Sequence, residues 1–250
     1  MEVTCMYNDY KRLFLEYECG TDYTPLCVSL SIRPPLFMAN PWIFFDGIIS
    51  YLCMREALGE EYWTLPTHET VDTSLLRLPL KQTSDIYHAS IGILHKPVLK
   101  KNTIYKRFTD KETYHLNKKQ QTGKIRTNAG HFKDFMINLP LVVTDKVHFY
   151  CNGDKKDIKK LLHNLTRIGK KTSIGGGHIK EVNIQETDKD YSFYKDGYCL
   201  KPLPNHVDIL PVQPGDKWQR CTYKPPYWES NNTRLCRVPP NQLIGEENIA

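Results

Sequence analysis

Apolar and polar residues alternate with period two over 26–33, Leu-Cys-Val-Ser-Leu-Ser-Ile-Arg, with positions 26, 28, 30 and 32 apolar. That spacing predicts a strand with one buried face. Pro34-Pro35 ends it, and Asn40-Pro41 predicts the start of a helix, a capping side chain followed by proline at the first helical position. The apolar run to about Ala57 carries that helix, and Gly59 stops it. The stretch 60–81 reads as loop, while 86–94, 104–108, 139–143 and 147–150 read as strands. Asn152-Gly153-Asp154 supplies a turn and a cap. Over 157–165 the apolar residues fall at 158, 161, 162 and 165, a helical stripe. Ile179, Val182 and Ile184 in a polar run predict a final strand.

In chain order the core elements read β-α-β-β-α-β. The expected fold is therefore α+β, a ferredoxin-like sheet backed by two helices, the layout shared by RNA recognition modules. Residues 1–24 are expected to form an N-terminal helix or arm ahead of this core, which covers 25–196 and carries an inserted basic β-hairpin or thumb at about 96–135. The segment 197–250 holds eight of the sixteen prolines, at 202, 204, 211, 214, 225, 226, 239 and 240. Such a stretch sustains no long helix. It reads as a degenerate β-rich lobe or an extended arm, and Trp218, Tyr223, Tyr227 and Trp228 predict that it is docked.

Composition adds limits. With 40% hydrophobic and 25% charged residues the chain is ordinary for a soluble protein. Glu2, Asp9, Lys11, Arg12 and Glu16 interrupt the first twenty residues, which predicts no secretory signal. The most apolar window, 36–54, contains Asn40, Pro41 and Asp46 and reads as a buried helix, not a membrane span. Eight cysteines lie scattered without a Cys-x-x-Cys pair, which predicts free thiols in a reducing cytoplasm. The spacing of Cys221 and Cys236 gives no support to a zinc site, and no metal or cofactor is expected.

Charge is unevenly placed. The chain carries a net +6, yet 95–135 holds eleven Lys or Arg against three Asp or Glu, a local +8. The segment 153–180 holds eight against two, a local +6, so the remainder is acidic at −8. A basic centre on an acidic protein points to a polyanion. Tyr105, Phe108, Tyr114 and Phe132 lie among the first set of cations. Rings beside cations suit single-stranded nucleic acid, where charge follows the backbone and bases stack.

The second basic segment contains 167–180, Arg-Ile-Gly-Lys-Lys-Thr-Ser-Ile-Gly-Gly-Gly-His-Ile-Lys. Three consecutive glycines permit positive φ and close approach of another chain. Successive N–H groups there can form an anion-binding nest, reinforced by Lys170, Lys171 and Thr172. A nucleotide-hydrolysing P-loop does not fit: Asn164 occupies the first glycine position, Lys171 separates Gly169-Lys170 from Thr172, and the loop follows a helix and enters a strand. The bland alternative is a flexible turn. The candidate RNA contacts are Arg167, Lys170, Lys171, Thr172, Ser173, Gly175, Gly176, Gly177 and His178 from this loop. From the insertion they are Lys106, Arg107, Lys118, Lys119, Lys124 and Arg126.

Helix, then Gly-Lys-Lys-Thr-Ser-Ile-Gly-Gly-Gly, then strand resembles the glycine-rich loop of the RAMP superfamily, RNA-binding proteins of CRISPR effector complexes. The segments 42–52, Trp-Ile-Phe-Phe-Asp-Gly-Ile-Ile-Ser-Tyr-Leu, and 224–228, Lys-Pro-Pro-Tyr-Trp, add to the likeness. Together they are most similar to the Cas-five-type (Csf-class) subunit that caps the CRISPR RNA (crRNA) 5′ handle in type IV complexes. The resemblance implies a non-catalytic subunit of an antiviral defence ribonucleoprotein. It also implies crRNA, target DNA, a Cas-seven-type backbone subunit and a large subunit as partners.

Other readings stay open. Some RAMP proteins cut precursor CRISPR RNA without metal, through the 2′-hydroxyl, a reaction that needs a general base and a cation. Those enzymes tend to carry a histidine near the first helix, whereas this chain has none before His68. His178 is the best remaining candidate, with His131 and His88 behind it, and a histidine in a phosphate loop more often donates a hydrogen bond. A generic basic RNA- or DNA-binding module is the next alternative. An anionic-membrane binder needs a longer basic amphipathic helix than 155–165.

Overall fold

The computed structural model describes residues 10–38, 40–65, 71–108, 127–207, 215–240 and 244–245. Helix α1, over 10–16, buries Tyr10 and Phe14 edge to face in the main core. Strand β1 (Tyr23–Arg33) realises the alternation, with Leu26, Val28, Leu30 and Ile32 buried and the residues between them partly exposed. After β2 (Leu36–Phe37) comes helix α2 (Phe45–Leu58), stopped by Gly59 at φ 52°. The chain continues through β3 (Gln82–Thr83), β4 (Ile86–Tyr87), β5 (Ile93–Leu94), β6 (Val98–Lys106), β7 (Phe135–Val143) and β8 (Lys146–Asp154). Helix α3 (Lys155–His163) and β9 (His178–Glu186) follow. The Pro-rich segment holds β10 (Tyr194–Lys195), β11 (Tyr198–Cys199), β12 (Leu203–Pro204), β13 (Lys217–Thr222) and β14 (Thr233–Val238).

The main sheet has the order β5-β8-β1-β9, and each neighbouring pair is antiparallel. In the chain α2 lies between β1 and β5, and α3 between β8 and β9. Both helices cover the face carrying Leu26, Val28 and Leu30, where Phe45 of α2 stacks on Phe149 of β8 at 5.0 Å. A second antiparallel sheet runs β2-β7-β6, and a third β12-β14-β13. The third sheet packs around Phe193, Leu203, Tyr223, Cys236 and Val238, joined by Ile86 from the core side.

Three boundaries differ from the sequence expectation. Helix α2 begins at Phe45, not at 40–41. The Asn40 carboxamide caps only the amide of Trp42, at 3.1 Å, because 43–45 is held extended against 90–92: Gly92 N–H donates to Ile43 O and Phe45 N–H to Ser90 O. Helix α3 starts at Lys155, directly after the expected cap, the Asp154 side chain accepting from Asp157 N–H at 3.1 Å. The strand expected at 139–143 exists, but as the end of β7, paired with β6 in the second sheet. It leaves β8 to lie beside β1 in the main sheet. In place of one strand over 86–94 there are β4, single bridges at Ala89 and Ile91, and β5, because successive residues bond to different neighbours.

Asp46, Lys201 and Tyr227 tie the Pro-rich segment to helix α2. Lys201 forms an ion pair with Asp46, and both side chains are fully buried. The Tyr227 hydroxyl donates to Asp46 Oδ1 at 2.8 Å and accepts from Lys201 Nζ at 3.0 Å. Its ring stacks on Phe44 at 3.8 Å and lies 3.4 Å from where a Cβ on Gly47 would stand. The aromatic-Asp-Gly and Lys-Pro-Pro-Tyr-Trp motifs therefore meet each other inside the protein.

Candidate nucleic-acid interface

The glycine loop leaves α3 and is fixed at both ends by backbone pairing. Ile168 N–H donates to Gly177 O at 2.9 Å and Ile179 N–H to Thr166 O at 2.9 Å, closing the base as an antiparallel pair. The tip is then tied sideways to β2. Lys170 N–H donates to Phe37 O at 2.8 Å and Gly177 N–H to Pro35 O at 2.9 Å.

Three of the four glycines are there because neighbours leave no room. A Cβ on Gly177 would lie 1.9 Å from Ile168 O, and one on Gly169 would lie 2.7 Å from Phe37 O. One on Gly176 would meet the Phe37 ring at 2.6 Å. Gly175 has open space around it and serves by its φ of 97°. The expected freedom of a glycine triplet is thus spent on close packing, and the loop has a defined shape.

The turn that faces solvent is made by Lys171, left-handed at φ 55° and ψ 36°, followed by the single 3-10 turn Thr172–Ile174. A left-to-right-handed succession aims consecutive N–H groups to one side, the geometry of an anion nest. Lys170, Lys171, Ser173 and Gly175 are exposed, and Thr172 is half-buried. Arg167 instead closes the loop, its Nη1 donating to Thr172 O at 2.8 Å. His178 is half-buried and its Nδ1 is shielded, with no hydrogen-bond partner among the described residues.

The basic β6–β7 pair reaches this loop through β2. Phe37 bridges Lys170 on one side and pairs with Leu141 of β7 on the other, and Leu141 pairs with Lys100 of β6. Lys170, Phe37, Leu141 and Lys100 make one row across a sheet, with the two cations three interstrand steps apart, about 14 Å. Beyond β2 the hairpin continues as a two-stranded ribbon. Tyr105 and Met136 are cross-strand partners there, 75% and 71% exposed. Lys106 Nζ lies 5.2 Å from the centre of the Phe108 ring, which meets Phe132 edge to face. Arg107 follows at the hairpin's described end. Lys118, Lys119, Lys124 and Arg126 lie outside the described residues.

One constellation escaped the sequence reading. Thr83 Oγ1 lies 2.8 Å from His88 Nε2, and His88 Nδ1 lies 2.7 Å from Asp190 Oδ2. Burial pushes the Asp190 carboxyl up, but hydrogen bonds from His88, Ser192 and Asn152 outweigh it and hold it well below the usual carboxylate range. Positions 83, 88 and 190 share no motif spacing, so only the fold brings them together. On this hairpin Thr83 and its partner Ile86 face away from Gln82 and Tyr87, the pair that lines a cleft of about 450 Å³ against Lys224 and Pro225. The hydroxyl-imidazole-carboxylate chain therefore ties the β3–β4 turn to the segment after β9.

Among the described residues no three His, Cys, Asp or Glu side chains converge as metal ligands, and no helix is long and apolar enough to cross a membrane. Among the described residues seven cysteines stand outside any disulfide.

No curated protein matches this chain. A chain of a solved assembly, the cryo-EM structure of the type III-B Cmr-beta bound to cognate target RNA, aligns at 10% identity and a TM-score of 0.37. The alignment covers 74% of this chain and 67% of that one. The profile of the family described as "CRISPR type IV associated protein Csf3" matches residues 24–239, from β1 to the end of β14. The chain belongs to the Csf3 family of CRISPR type IV associated proteins.

Proposed function

We propose that this protein is a non-catalytic subunit of a type IV CRISPR effector complex that grips the 5′ handle of the crRNA. In this reading the main sheet and its two helices are the ferredoxin-like core, with β6 and β7 as the inserted thumb. The sheet order β5-β8-β1-β9 supports that assignment. Family membership supports a place in a type IV complex.

The observation that carries the reading is the row from Lys170 through Phe37 and Leu141 to Lys100. It puts the two basic segments, far apart in sequence, on one sheet, so a single phosphate backbone can run from the loop onto the hairpin. Phosphate contacts position a strand without reading it. A constant handle, capped by the loop lysines and N–H groups, suits that chemistry. The same complex would bring target DNA, a Cas-seven-type backbone subunit and a large subunit to the exposed hairpin.

The test is co-purification with the proteins encoded beside it, followed by sequencing of the bound RNA. Short RNAs sharing one 5′ end are the expected result. RNA of mixed ends would favour a generic basic binder instead.

A further inference from the structure

We infer that the open face of the main sheet is a second RNA-contact surface, a trough along β1 that holds about three unpaired nucleotides by their bases. The inference rests on the RNA-binding reading above.

The face opposite the helices is polar and stepped in height. Along β1 it presents Cys27, Ser29 and Ser31, all short and half-buried. On one side β9 sets Gln185 beside Cys27, Asn183 beside Ser29 and Glu181 beside Ser31, all three exposed. On the other side β8 sets Tyr150, His148 and Lys146 beside the same three residues. Short side chains on the middle strand between longer ones on both neighbours make a trough about 10 Å across, two interstrand spacings. That width takes one strand of nucleic acid and excludes a duplex.

The lining is chemistry for bases. The Asn183 and Gln185 carboxamides each offer a donor and an acceptor. Ser29 Oγ and His148 Nδ1 lie 2.7 Å apart in the trough floor and wall. Tyr150 meets Tyr191 edge to face at 5.5 Å, and Lys195 Nζ lies within 5.9 Å of both ring centres, a stacking platform with a cation beside it. Leu200 and Ile244 cover Ile93 of β5 and wall the trough on the β8 side. A protein-docking face would centre on exposed apolar or aromatic anchors. Along Cys27, Ser29 and Ser31 the floor is polar, and the Tyr150–Tyr191 pair beside it is half-buried next to the Lys195 cation.

Continuity with the glycine loop argues for RNA as the occupant. At its far end the trough reaches Arg33, which is exposed and pairs with His178, the residue directly after Gly177. Lys180 is the extra residue at the register shift beside Ser31 and Ile32, and it is exposed. A strand leaving the loop lysines thus meets Arg33 and Lys180 first and the base-binding floor next. From Cys27 to Arg33 the strand runs about 20 Å, room for two or three bases laid across a sheet.

The test uses the full chain and fluorescent single-stranded RNA carrying the handle sequence recovered from the complex. Ser29→Gln fills the trough, and Asn183→Ala removes an exposed base contact without touching the core. Each is expected to weaken binding about tenfold, with an unchanged slope against salt, since neither removes a phosphate contact. Unchanged affinity in both variants, while Lys170→Ala and Lys171→Ala still weaken binding, would overturn the trough and leave the loop assignment standing. Lost association with a protein subunit at unchanged RNA affinity would also overturn it, in favour of a protein face. No RNA affinity in the wild-type chain would overturn both assignments.

Discussion

The amide of Lys170 donates to the carbonyl of Phe37 at 2.8 Å, and Gly177 makes the matching bond to Pro35 two residues earlier. Those two bonds decide where the basic loop stands. They hold the tip of a loop that follows α3 against a two-residue strand that follows β1, and that strand also pairs with the hairpin. The loop lysines are therefore presented by a braced turn. A braced cation loses less side-chain and backbone freedom on meeting a phosphate than a floppy one does.

If the glycines serve the packing against β2, they are unequal. Gly177→Ala places a Cβ 1.9 Å from Ile168 O, a backbone atom, at φ 60°. Gly175→Ala meets nothing within 4 Å and is strained only by φ 97°. Denaturant unfolding should show a loss of about 3 kcal/mol or more for Gly177→Ala and about 1–2 kcal/mol for Gly175→Ala. Equal losses would mean that the loop is free to shift.

The joint between core and Pro-rich lobe depends on a buried ion pair. Burial pulls the Lys201 pKa down and the Asp46 carboxylate opposes that. Lys201→Met leaves Asp46 buried without its cation, and the expected loss is about 3–5 kcal/mol. Asp46→Leu combined with Lys201→Met removes both charges and should recover most of it. Tyr227→Phe deletes one hydroxyl serving both partners and should cost about 1–2 kcal/mol. A double-mutant cycle by chemical denaturation measures the coupling, and strict additivity would show that the two groups do not act as a pair.

Most of the core was legible because burial writes itself into periodicity. The alternation at Leu26, Val28, Leu30 and Ile32 and the stripe at Ile158, Leu161 and Leu162 each mark one face turned inward. The start of α2 was not legible, since Asn40-Pro41 has the chemistry of a helix start and the pairing of 43–45 with 90–92 overrides it. Lys201 had no signal at all, because a lysine reads as solvated until its buried partner is known. For the site, the cations could be found by counting charge. Their connection through Phe37 and Leu141 depends on pairing between strands over a hundred residues apart, which no local pattern records.

The Asp190 carboxyl makes stability depend on acid. Its folded pKa lies below the value of about 3.9 for a free side chain, so its contribution is complete above that value and is lost as pH falls through the folded pKa. Thermal unfolding between pH 7 and pH 2 should therefore show a falling Tm below about pH 4. Asp190→Asn should start lower at pH 7 and fall less over that acid range. Parallel profiles for the two proteins would assign the acid sensitivity to other carboxylates.

A cleaving role for His178 needs a group that orients its ring as a general base. Its Nδ1 is buried without a hydrogen-bond partner among the described residues, so no carboxylate or carbonyl there fixes the tautomer. CRISPR repeat RNA incubated with the protein in EDTA should stay full length. Cleavage that disappears in His178→Ala would make the protein a processing endonuclease.

Salt dependence separates phosphate contacts from every other role of the lysines. Each cation that neutralises a phosphate of single-stranded RNA contributes about 0.7 to the fall of log K against log salt. Lys170→Ala and Lys171→Ala together should flatten the line by about 1.4, and adding Lys100→Ala by about 0.7 more, if one strand spans loop and hairpin. The three side chains are exposed, so folding should be undisturbed. A triple variant that binds weakly with the wild-type slope would place the phosphates elsewhere. A slope that changes for the loop pair alone would confine the strand to the loop and free the hairpin for a different partner.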